Sequence, residues 1–588
     1  MDSSLAGAVQ QWLAIDVNPT TLNQINDLVY NEQWGFLSDL LSRRIIFGTA
    51  GLRAQMEAGF NRMNDVTVLQ ATQGLAEYIK LQTNNRIFVV AHDHRLNSQR
   101  FAQLTAAIFL SKGFKVYFIG PGLSATPMVP FAIDKYCASA GVMITASHNP
   151  KNDNGYKVYW DNGCQIIPPH DFNIEQSILK NLKPIDEIVS NNWKTDALFS
   201  KYKDHLIFCK EEIKISYLNH LLKTHFAIDK ISGFKAIYTA MHGVGTEFVR
   251  ELTDQIAPNV ITYVSEQCTP DPYFKTVSFP NPEEKGALNL AIAEADKLKI
   301  SLVIANDPDA DRFSFAVKHQ QFWKQLTGNE IGILFADFII SNYASGQDKD
   351  LSDVWLLNST VSSQMLNSMA QKLGFNFTDT LTGFKWIGNK AIELESENLI
   401  VPFAYEEAIG YMFKGIHDKD GIAALLVFLQ LYQWLLNMNS NPLERLNYLY
   451  ENFGYFKECN GYFICQDVEN IFNSKIRAAA GSRSYPEKIG QWDVIYWRDL
   501  TYGFESNTVG NKPLLPVDPN SQMITAIIKP PQQDDVTGAD EVRFTVRGSG
   551  TEPKLKVYIE AKSSSAKQAS ELAQNVWDLL KLEWFAAL

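Results

Sequence analysis

Three carboxylates stand at alternate positions in Asn306-Asp307-Pro308-Asp309-Ala310-Asp311-Arg312, directly after the apolar run Leu302 to Ala305. At a strand end, such spacing can turn three oxygen donors onto one hard cation, Mg²⁺ or Ca²⁺. Calcium signalling is excluded, because an EF-hand loop counted from Asp307 needs Gly at its sixth position and Glu at its twelfth, where Arg312 and Lys318 stand. The competing reading is a solvated charge run, but Pro308 fixes the backbone in the middle of it. Three carboxylates on one divalent ion leave surplus negative charge, which Arg312 can offset, and magnesium sites keep open positions for a phosphate oxygen.

Four further segments have the composition of chemistry. Thr145-Ala146-Ser147-His148-Asn149-Pro150 follows a β run and exposes a serine beside a histidine. It is not a nucleophile elbow, since Thr145 and Asn149 occupy the positions that motif gives to glycine. A plain Asn/Pro turn is the alternative. Arg547-Gly548-Ser549-Gly550-Thr551-Glu552-Pro553-Lys554 combines close backbone approach, hydroxyl and amide donors and a guanidinium fork, the makings of an anion nest. It lacks the spacing of a P-loop, and a structural β-turn is its competitor. Tyr405-Glu406-Glu407-Ala408-Ile409-Gly410 could hydrogen-bond a polyol, although paired glutamates are often only surface. Thr382-Gly383-Phe384-Lys385 and Phe47-Gly48-Thr49-Ala50-Gly51-Leu52-Arg53 are Gly-bearing loops that end in a cation, and each can be a simple turn.

The elements that must carry these loops alternate. A helix over Val66 to Leu81 leads to the run Ile87 to Val90, a helix over Arg100 to Lys112, the run Val116 to Ile119 and a third run, Val142 to Thr145. Strands separated by helices of this length predict βαβ crossovers and a mostly parallel sheet. The pattern restarts from about Ser216, with runs at Ala236 to Thr239, Val260 to Val264 and, after a helix over Leu288 to Leu298, Leu302 to Ala305. It restarts again from about Glu330, with runs at Val354 to Leu357, Asn376 to Thr378 and Val401 to Ala404, closed by a buried helix over Ile422 to Leu436. Each unit has a polar loop after its last strand, where open α/β sheets bind ligands. The last part differs: Met523 to Ile528, Val542 to Val546 and Lys556 to Ala561 read as neighbouring strands before a helix over Ala566 to Leu580, an α+β arrangement. Asn439 to Pro442 and Ser482 to Asp518 read as linker or loop.

Composition bounds the partners. The chain has 588 residues, 53 basic against 65 acidic side chains for a net charge of −12, and 46% hydrophobic residues. At roughly 150 residues per domain this is about four domains, each able to bury a core. No basic stripe argues for nucleic acid, so an anion site must be a local exception in an acidic protein. Six cysteines without a CxxC pair predict reduced thiols in a cytoplasmic protein. Asp2 and the helical spacing of Leu5, Val9, Trp12 and Leu13 predict an amphipathic helix in place of a signal peptide. The run Ile422 to Leu436 falls short of the roughly 20 residues of a membrane span.

In this order, the loops closely resemble those of the α-D-phosphohexomutase superfamily: TASHNP its phosphoserine loop, NDPDADR its metal loop, YEEAIG its sugar-recognition loop and RGSGTEP its phosphate-binding loop. The resemblance runs from about Ile45 to Ala561. FGTAGLR, DNGYKVYWDNG and YEEAIGY are most similar to the phosphoglucomutase-2/phosphopentomutase branch. It implies an α/β fold of three related mixed α/β domains and a C-terminal α+β domain around a central cleft, here 1–205, 206–325, 326–440 and 441–588. It further implies that Ser147 carries a phosphoryl group and that Asp307, Asp309 and Asp311 hold Mg²⁺ together with that phosphoserine. Arg53 and Arg312 would lie near the transferred group, with His148 and Lys157 as proton-transfer candidates. Thr382, Gly383, Glu406 and Lys419 would meet the sugar or its phosphate, and Arg547, Ser549, Gly550 and Thr551 the non-reacting phosphate. Ala408 departs from the serine of classical phosphoglucomutases and phosphomannomutases, which removes one sugar hydrogen bond of about 1 kcal/mol. The implied activity is a phosphosugar mutase on glucose or ribose (deoxyribose) phosphates, through a phosphoserine enzyme and a sugar bisphosphate such as glucose 1,6-bisphosphate. The alternatives are a glucose-1,6-bisphosphate synthase, a phosphomannomutase or a non-catalytic metal- or phosphosugar-binding protein. The expected partner is a small phosphosugar, with neither nucleic acid nor membrane; oligomeric state stays open, a monomer being preferred.

Overall fold

The structure, a computed structural model, describes residues 2–48, 51–228, 231–344, 350–477, 485–531, 540–549 and 554–586. The chain forms two compact units, Met1–Phe335 with Gly383–Met438, and Ala336–Thr382 with Asn439–Leu588.

In the first unit, strands are ordered Gly51–Gln55, Asp153–Trp160, Ala140–Ile144, Ile87–His92, Lys115–Phe118, Leu206–Phe208 across one sheet. The last four run parallel, and the first two are antiparallel additions. Helices Asp65–Gln82 and Ser98–Ser111 cover it, burying Leu75, Ile79, Phe101 and Phe109 against Phe88, Val90, Val142, Tyr156 and Val158. The longer helix starts at a reciprocal cap, Asn64 and Thr67 each accepting from the other's backbone N–H. A second sheet is ordered Phe322–Gln325, Phe313–His319, Leu302–Asn306, Ala236–Thr239, Ile261–Tyr263. Strands Ile400–Glu406 and Gly410–Phe413 pair antiparallel, and Asp420 caps the buried helix Gly421–Asn437 by accepting from Ile422 N and Ala423 N at 3.0 and 2.8 Å. The N-terminal helix Ser3–Ile15 buries Leu5, Val9 and Trp12 as its spacing predicts, while Leu13 is exposed.

As expected for mixed α/β domains, the sheets are parallel in their crossover strands and antiparallel at one edge. After each of the three α/β motif loops the chain does not enter a helix but turns straight back as an antiparallel strand. TASHNP, NDPDADR and YEEAIG are therefore tight strand-to-strand connections, whose two ends are pinned by ladder hydrogen bonds. The partner strand Asp153–Trp160 is buried on both faces, so it shows none of the polar alternation that marks a half-exposed strand.

In the second unit, Val354–Ser359 and Asn376–Thr380 pair in parallel. The C-terminal sheet is antiparallel, in the order Tyr455–Glu458, Lys554–Ser563, Glu541–Gly548, Met523–Lys529, Trp492–Asp499, Lys488–Ile489. Helix Ala566–Glu583 packs Leu572, Val576 and Leu580 onto it. Here one expectation needs correction, because Trp492–Asp499 lies inside the segment read as irregular linker. A register shift between Val494 and Tyr496 breaks the period of two, and the strand ends in the buried charges Arg498 and Asp499, so its pattern does not read as a strand.

No single helix among the described residues is long and apolar enough to cross a membrane.

Candidate active site

The centre of the first unit is the carboxylate cluster. Asp307, Asp309 and Asp311 are buried, and each offers an oxygen within 4.8 Å of the others'. Their second oxygens are anchored. Asp309 Oδ2 accepts from Thr126 Oγ1 and Lys157 Nζ, both at 2.7 Å, and Asp311 Oδ2 accepts from Lys157 Nζ at 2.8 Å. Asp307 accepts from Arg312 N at 2.9 Å through Oδ1 and from Ser147 Oγ at 2.7 Å through Oδ2. The Oδ1 atoms of Asp309 and Asp311 are buried with no hydrogen-bond partner. Two orphaned carboxylate oxygens beside a third acid are an all-oxygen donor set that a hard divalent ion completes, so the residues fit a metal site. Thr126 and Lys157 supply the outer contacts that orient such ligands.

Electrostatics divides the cluster unevenly. Burial and the two neighbouring carboxylates push Asp307 well above the usual carboxylate range. Burial works the same way on Asp309, but Lys157 and hydrogen bonds from Asp307 and Thr126 hold it below that range. Burial disfavours the charge of Lys157, yet Asp309 and Asp311 more than offset it and raise its pKa. Lys157 is thus a fixed cation.

Ser147 sits over this cluster in the left-handed backbone region, at φ +50°. So do Ala310 at +58° and Ile409 at +53°, one in each of the other two connections. A side chain there costs about 1–2 kcal/mol, and the strained residue of each connection falls within the motif itself. His148 Nδ1 lies 3.3 Å from Ser147 Oγ. Burial, then the nearby Arg312 and Arg53, push His148 well below the ordinary histidine value, so it is neutral at pH 7. Arg53 donates to Asn149 Oδ1 at 3.3 Å from a strand paired Arg53 to Gly155. That strand opens at Gly51, where φ is +124° and a Cβ would stand 1.8 Å from the Tyr156 carbonyl oxygen.

Three more predicted residues join from further along the chain. Lys419, placed just before the capping Asp420, sets Nζ 3.6 Å from Asp311 Oδ2 and 3.5 Å from Asp418 Oδ1, over the Phe384 ring at 5.2 Å. Burial lifts Glu406 to about 7, against the pull of Lys419. Gly410 makes this pair possible, since a Cβ there would lie 2.4 Å from Lys419 Cδ and 3.0 Å from Glu406 Cγ. Gly383 caps the helix Phe384–Ser396 at φ +101°, which places Phe384 under Lys419.

The first unit therefore brings together Arg53, Ser147, His148, Lys157, Asp307, Asp309, Asp311, Arg312, Gly383, Glu406 and Lys419. Thr382 falls in the second unit, as do Arg547 and Ser549. Arg547 donates to Tyr558 Oη at 3.2 Å, and Gly550 and Thr551 lie outside the described residues. Sequence reasoning missed Arg95, Thr126, Tyr159 and Asp418. Arg95 donates to four carbonyls of the Ser147 segment, and Tyr159 Oη donates to Asp418 Oδ2 at 2.7 Å. For Arg95 a signal existed: Asp93-His94-Arg95 is itself a charged loop at the end of the strand Ile87–His92.

Family models for phosphoglucomutase/phosphomannomutase match in chain order: α/β/α domain I at 44–184, domain II at 215–321, domain III at 327–453 and the C-terminal domain at 514–579. The chain belongs to this family. Within it, the chain falls in the phosphopentomutase branch. It is 49% identical to phosphoribomutase of Saccharomyces cerevisiae, over 99% of this chain and 97% of that one, and 40% identical to human phosphopentomutase, over 95% and 92%. Human glucose 1,6-bisphosphate synthase is 38% identical, over 98% of this chain and 92% of the relative. The crystal structure of a phosphoglucomutase/phosphomannomutase family protein from Burkholderia thailandensis shares the fold, with a TM-score of 0.63 at 16% identity over 92% of this chain and 98% of that one. The protein is a phosphosugar mutase, an isomerase that moves a phosphoryl group, and its buried acidic triad is a group that could hold a metal ion.

Proposed function

We propose that this mutase interconverts ribose (deoxyribose) 1-phosphate and 5-phosphate in preference to glucose 1-phosphate and 6-phosphate, carrying the transferred group on Ser147. The observation that carries the reading is the Ser147 hydroxyl, hydrogen-bonded at 2.7 Å to Asp307 in a buried triad, with a neutral histidine 3.3 Å away. Full-length likeness to phosphoribomutase and phosphopentomutase supports the pentose, and so does Ala408, which has no hydroxyl to offer a hexose.

Phosphoryl transfer needs positioning and charge neutralisation more than covalent chemistry. Mg²⁺ is the ion assigned to Asp307, Asp309, Asp311 and the Ser147 phosphate, and when bound it neutralises charge on the transferred group. Arg53 and Arg312 share that task. As the Ser147 O–P bond breaks and the sugar O–P bond forms, the proton of the attacking hydroxyl needs an acceptor. His148, uncharged, can take it; Lys157, held as a cation by two carboxylates, cannot, and contributes charge. The resulting sugar bisphosphate, glucose 1,6-bisphosphate for the hexose, turns around and returns its other phosphate to Ser147. Glu406, Lys419, Thr382 and Gly383 grip the sugar end, and Arg547, Ser549, Gly550 and Thr551 the phosphate that is not reacting. This assigns the four domains as 1–205, 206–325, 326–440 and 441–588, and six free cysteines support a cytoplasmic enzyme.

Ser147→Ala tests the reading: turnover should vanish with the fold intact, and substantial residual isomerisation refutes it. Side-by-side kcat/KM values for ribose, glucose and mannose 1-phosphates test the preference, which fails if glucose wins or if mannose wins by tenfold. A second reading, glucose 1,6-bisphosphate synthesis, rests on the 38% identity to a synthase. Bisphosphate release with 1,3-bisphosphoglycerate as donor separates the two.

A further inference from the structure

One guanidinium holds the backbone of the Ser147 connection. Arg95 NH2 donates to the carbonyl oxygens of Ser147 at 2.5 Å and Asn149 at 2.7 Å. Its NH1 donates to those of Pro150 at 2.9 Å and Asp153 at 3.2 Å. Four carbonyls from a seven-residue stretch thus converge on one buried cation. A single neutral donor could satisfy one or two of them, whereas the planar fork satisfies all four.

The guanidinium is itself fixed from behind. Its Nε faces Asp93 Oδ2 at 3.4 Å, with both side chains sealed from solvent. Asp93 Oδ1 accepts from Ser98 Oγ at 2.6 Å and Arg95 N at 2.9 Å, and Ser98 Oγ accepts from Asn154 Nδ2 at 2.9 Å. The Phe274 ring covers one face of the guanidinium, 5.0 Å from its carbon. Helix Ser98–Ser111, the strand carrying Asn154 and the Phe274 segment all converge on this one side chain. None of this reaches solvent, so Arg95 is closed to substrate.

What it restrains is strained. Ser147 lies at φ +50°, and a residue with a side chain leaves that region unless its surroundings over-determine it. The local bonds, Ser147 N to Thr145 Oγ1 at 2.9 Å and Asn149 N to Ala146 O at 3.0 Å, close the turn but leave the Ser147 carbonyl to Arg95 alone among the described residues. We propose that Arg95 is a positioning residue for the phosphoryl-transfer step: by clamping the carbonyls of residues 147, 149, 150 and 153 it holds Ser147 Oγ over the carboxylate triad. Asp93 aims the clamp. The inference rests on the reading of Ser147 as the phosphate carrier and extends it to a residue that touches neither substrate nor metal.

The test uses full-length wild-type, Arg95→Lys, Arg95→Ala and Asp93→Asn chains, assayed with Mg²⁺ and glucose 1,6-bisphosphate. Phosphate on Ser147 is read by intact mass, and kcat and KM are measured on ribose 1-phosphate and glucose 1-phosphate. A displacement of about 1 Å costs about 100-fold in rate, so Arg95→Ala should lose about that much in kcat, with KM held within about threefold. Added guanidinium ion should restore at least a tenth of the lost rate to Arg95→Ala and nothing to Ser147→Ala. Arg95→Lys, which keeps the charge but not the fork, should fall between. A folded Arg95→Ala or Arg95→Lys enzyme with kcat near wild type overturns the proposal, and so does a loss confined to KM. Should both Arg95 chains be insoluble, Asp93→Asn decides: a wild-type kcat there overturns it, and a fall of about tenfold or more at unchanged KM supports it. Wild-type enzyme that takes up no phosphate at Ser147 brings down the phosphoserine reading itself. Normal uptake with unaffected variants removes only the role of Arg95.

Discussion

Asp307→Asn should make the metal-free enzyme more stable and the metal-loaded enzyme less so. The three acid groups face one another within 4.8 Å, and at an effective dielectric of about 20 a pair at that distance repels by about 3.5 kcal/mol. Asp307 escapes by holding a proton, which burial and its neighbours make it do well above the usual range. Burial and the two neighbouring carboxylates thus disfavour the charged form of this carboxyl. Asparagine carries no such cost and keeps both contacts: its oxygen can accept from Arg312 N, and its NH₂ can donate to Ser147 Oγ in place of accepting from it. In a unit this large the relief should show as an apparent Tm higher by about a degree or two. The sign of the pH dependence follows. A carboxyl raised in the folded state binds protons more tightly there, so metal-free wild type should lose stability as pH climbs from 3.8 toward the folded value, and the variant should lose less. With ion at 100 times its Kd, wild type gains about 2.7 kcal/mol, and the variant, one charge poorer, should gain little. Scanning calorimetry in chelator and in Mg²⁺ reads both arms. A variant that melts below wild type in chelator, or that responds to Mg²⁺ as strongly, refutes the charge argument.

Four more outcomes follow from the same geometry. Glu406 titrates at about 7, against an ordinary 4.5, so kcat/KM should rise between about pH 6 and 8 as it becomes an acceptor for the sugar; Glu406→Gln should flatten that limb, and an unchanged profile refutes the assignment. Gly410→Ala puts a methyl 2.4 Å from Lys419 Cδ and should cut kcat/KM by about 10–100-fold while leaving phosphate uptake at Ser147 intact, which intact mass can check. His148→Gln should lower kcat by about 100-fold or more without changing Mg²⁺ affinity, whereas Lys157→Met should weaken both, and the reverse pattern exchanges their roles. In the second unit, Arg498 NH2 and Arg543 NH2 donate to the partly buried Asp379 at 2.9 and 3.3 Å and, against desolvation, keep it at about 2. Asp379→Ala should cost about 3–5 kcal/mol above pH 4, a difference that shrinks as pH falls from 3.8 toward 2.

The motif loops were legible because their chemistry is local. Asp307, Asp309 and Asp311 can be seen to converge from spacing alone, and the apolar run before them marks the strand that delivers them. What did not read was everything that depends on a distant partner. Arg95 serves carbonyls 52 to 58 positions away, and its own charged loop at a strand end marks it as notable without saying what it meets. Thr126 meets Asp309 across 183 positions. Strand Asp153–Trp160 is packed on both faces and so loses its alternation, while Trp492–Asp499 loses its own to a register shift. In both, burial and pairing override the local pattern.

The missed strand also explains why Lys157 is a fixed cation. On Asp153–Trp160, Tyr156 and Val158 point into the core beneath the sheet, so Lys157 and Tyr159 between and beyond them must point the other way. On that side Lys157 finds Asp309 and Asp311, and Tyr159 finds Asp418, whose neighbour Lys419 faces Asp311. Period-two geometry thus places two lysines, from segments 262 residues apart, against one carboxylate triad without either occupying the two orphaned oxygens. A divalent ion bound there adds the positive charge that a phosphoserine beside an acidic cluster needs. A cluster tuned this way favours the ion and the phosphate together over either one, which is what an enzyme that must keep its phosphoserine through the exchange of one sugar for another requires.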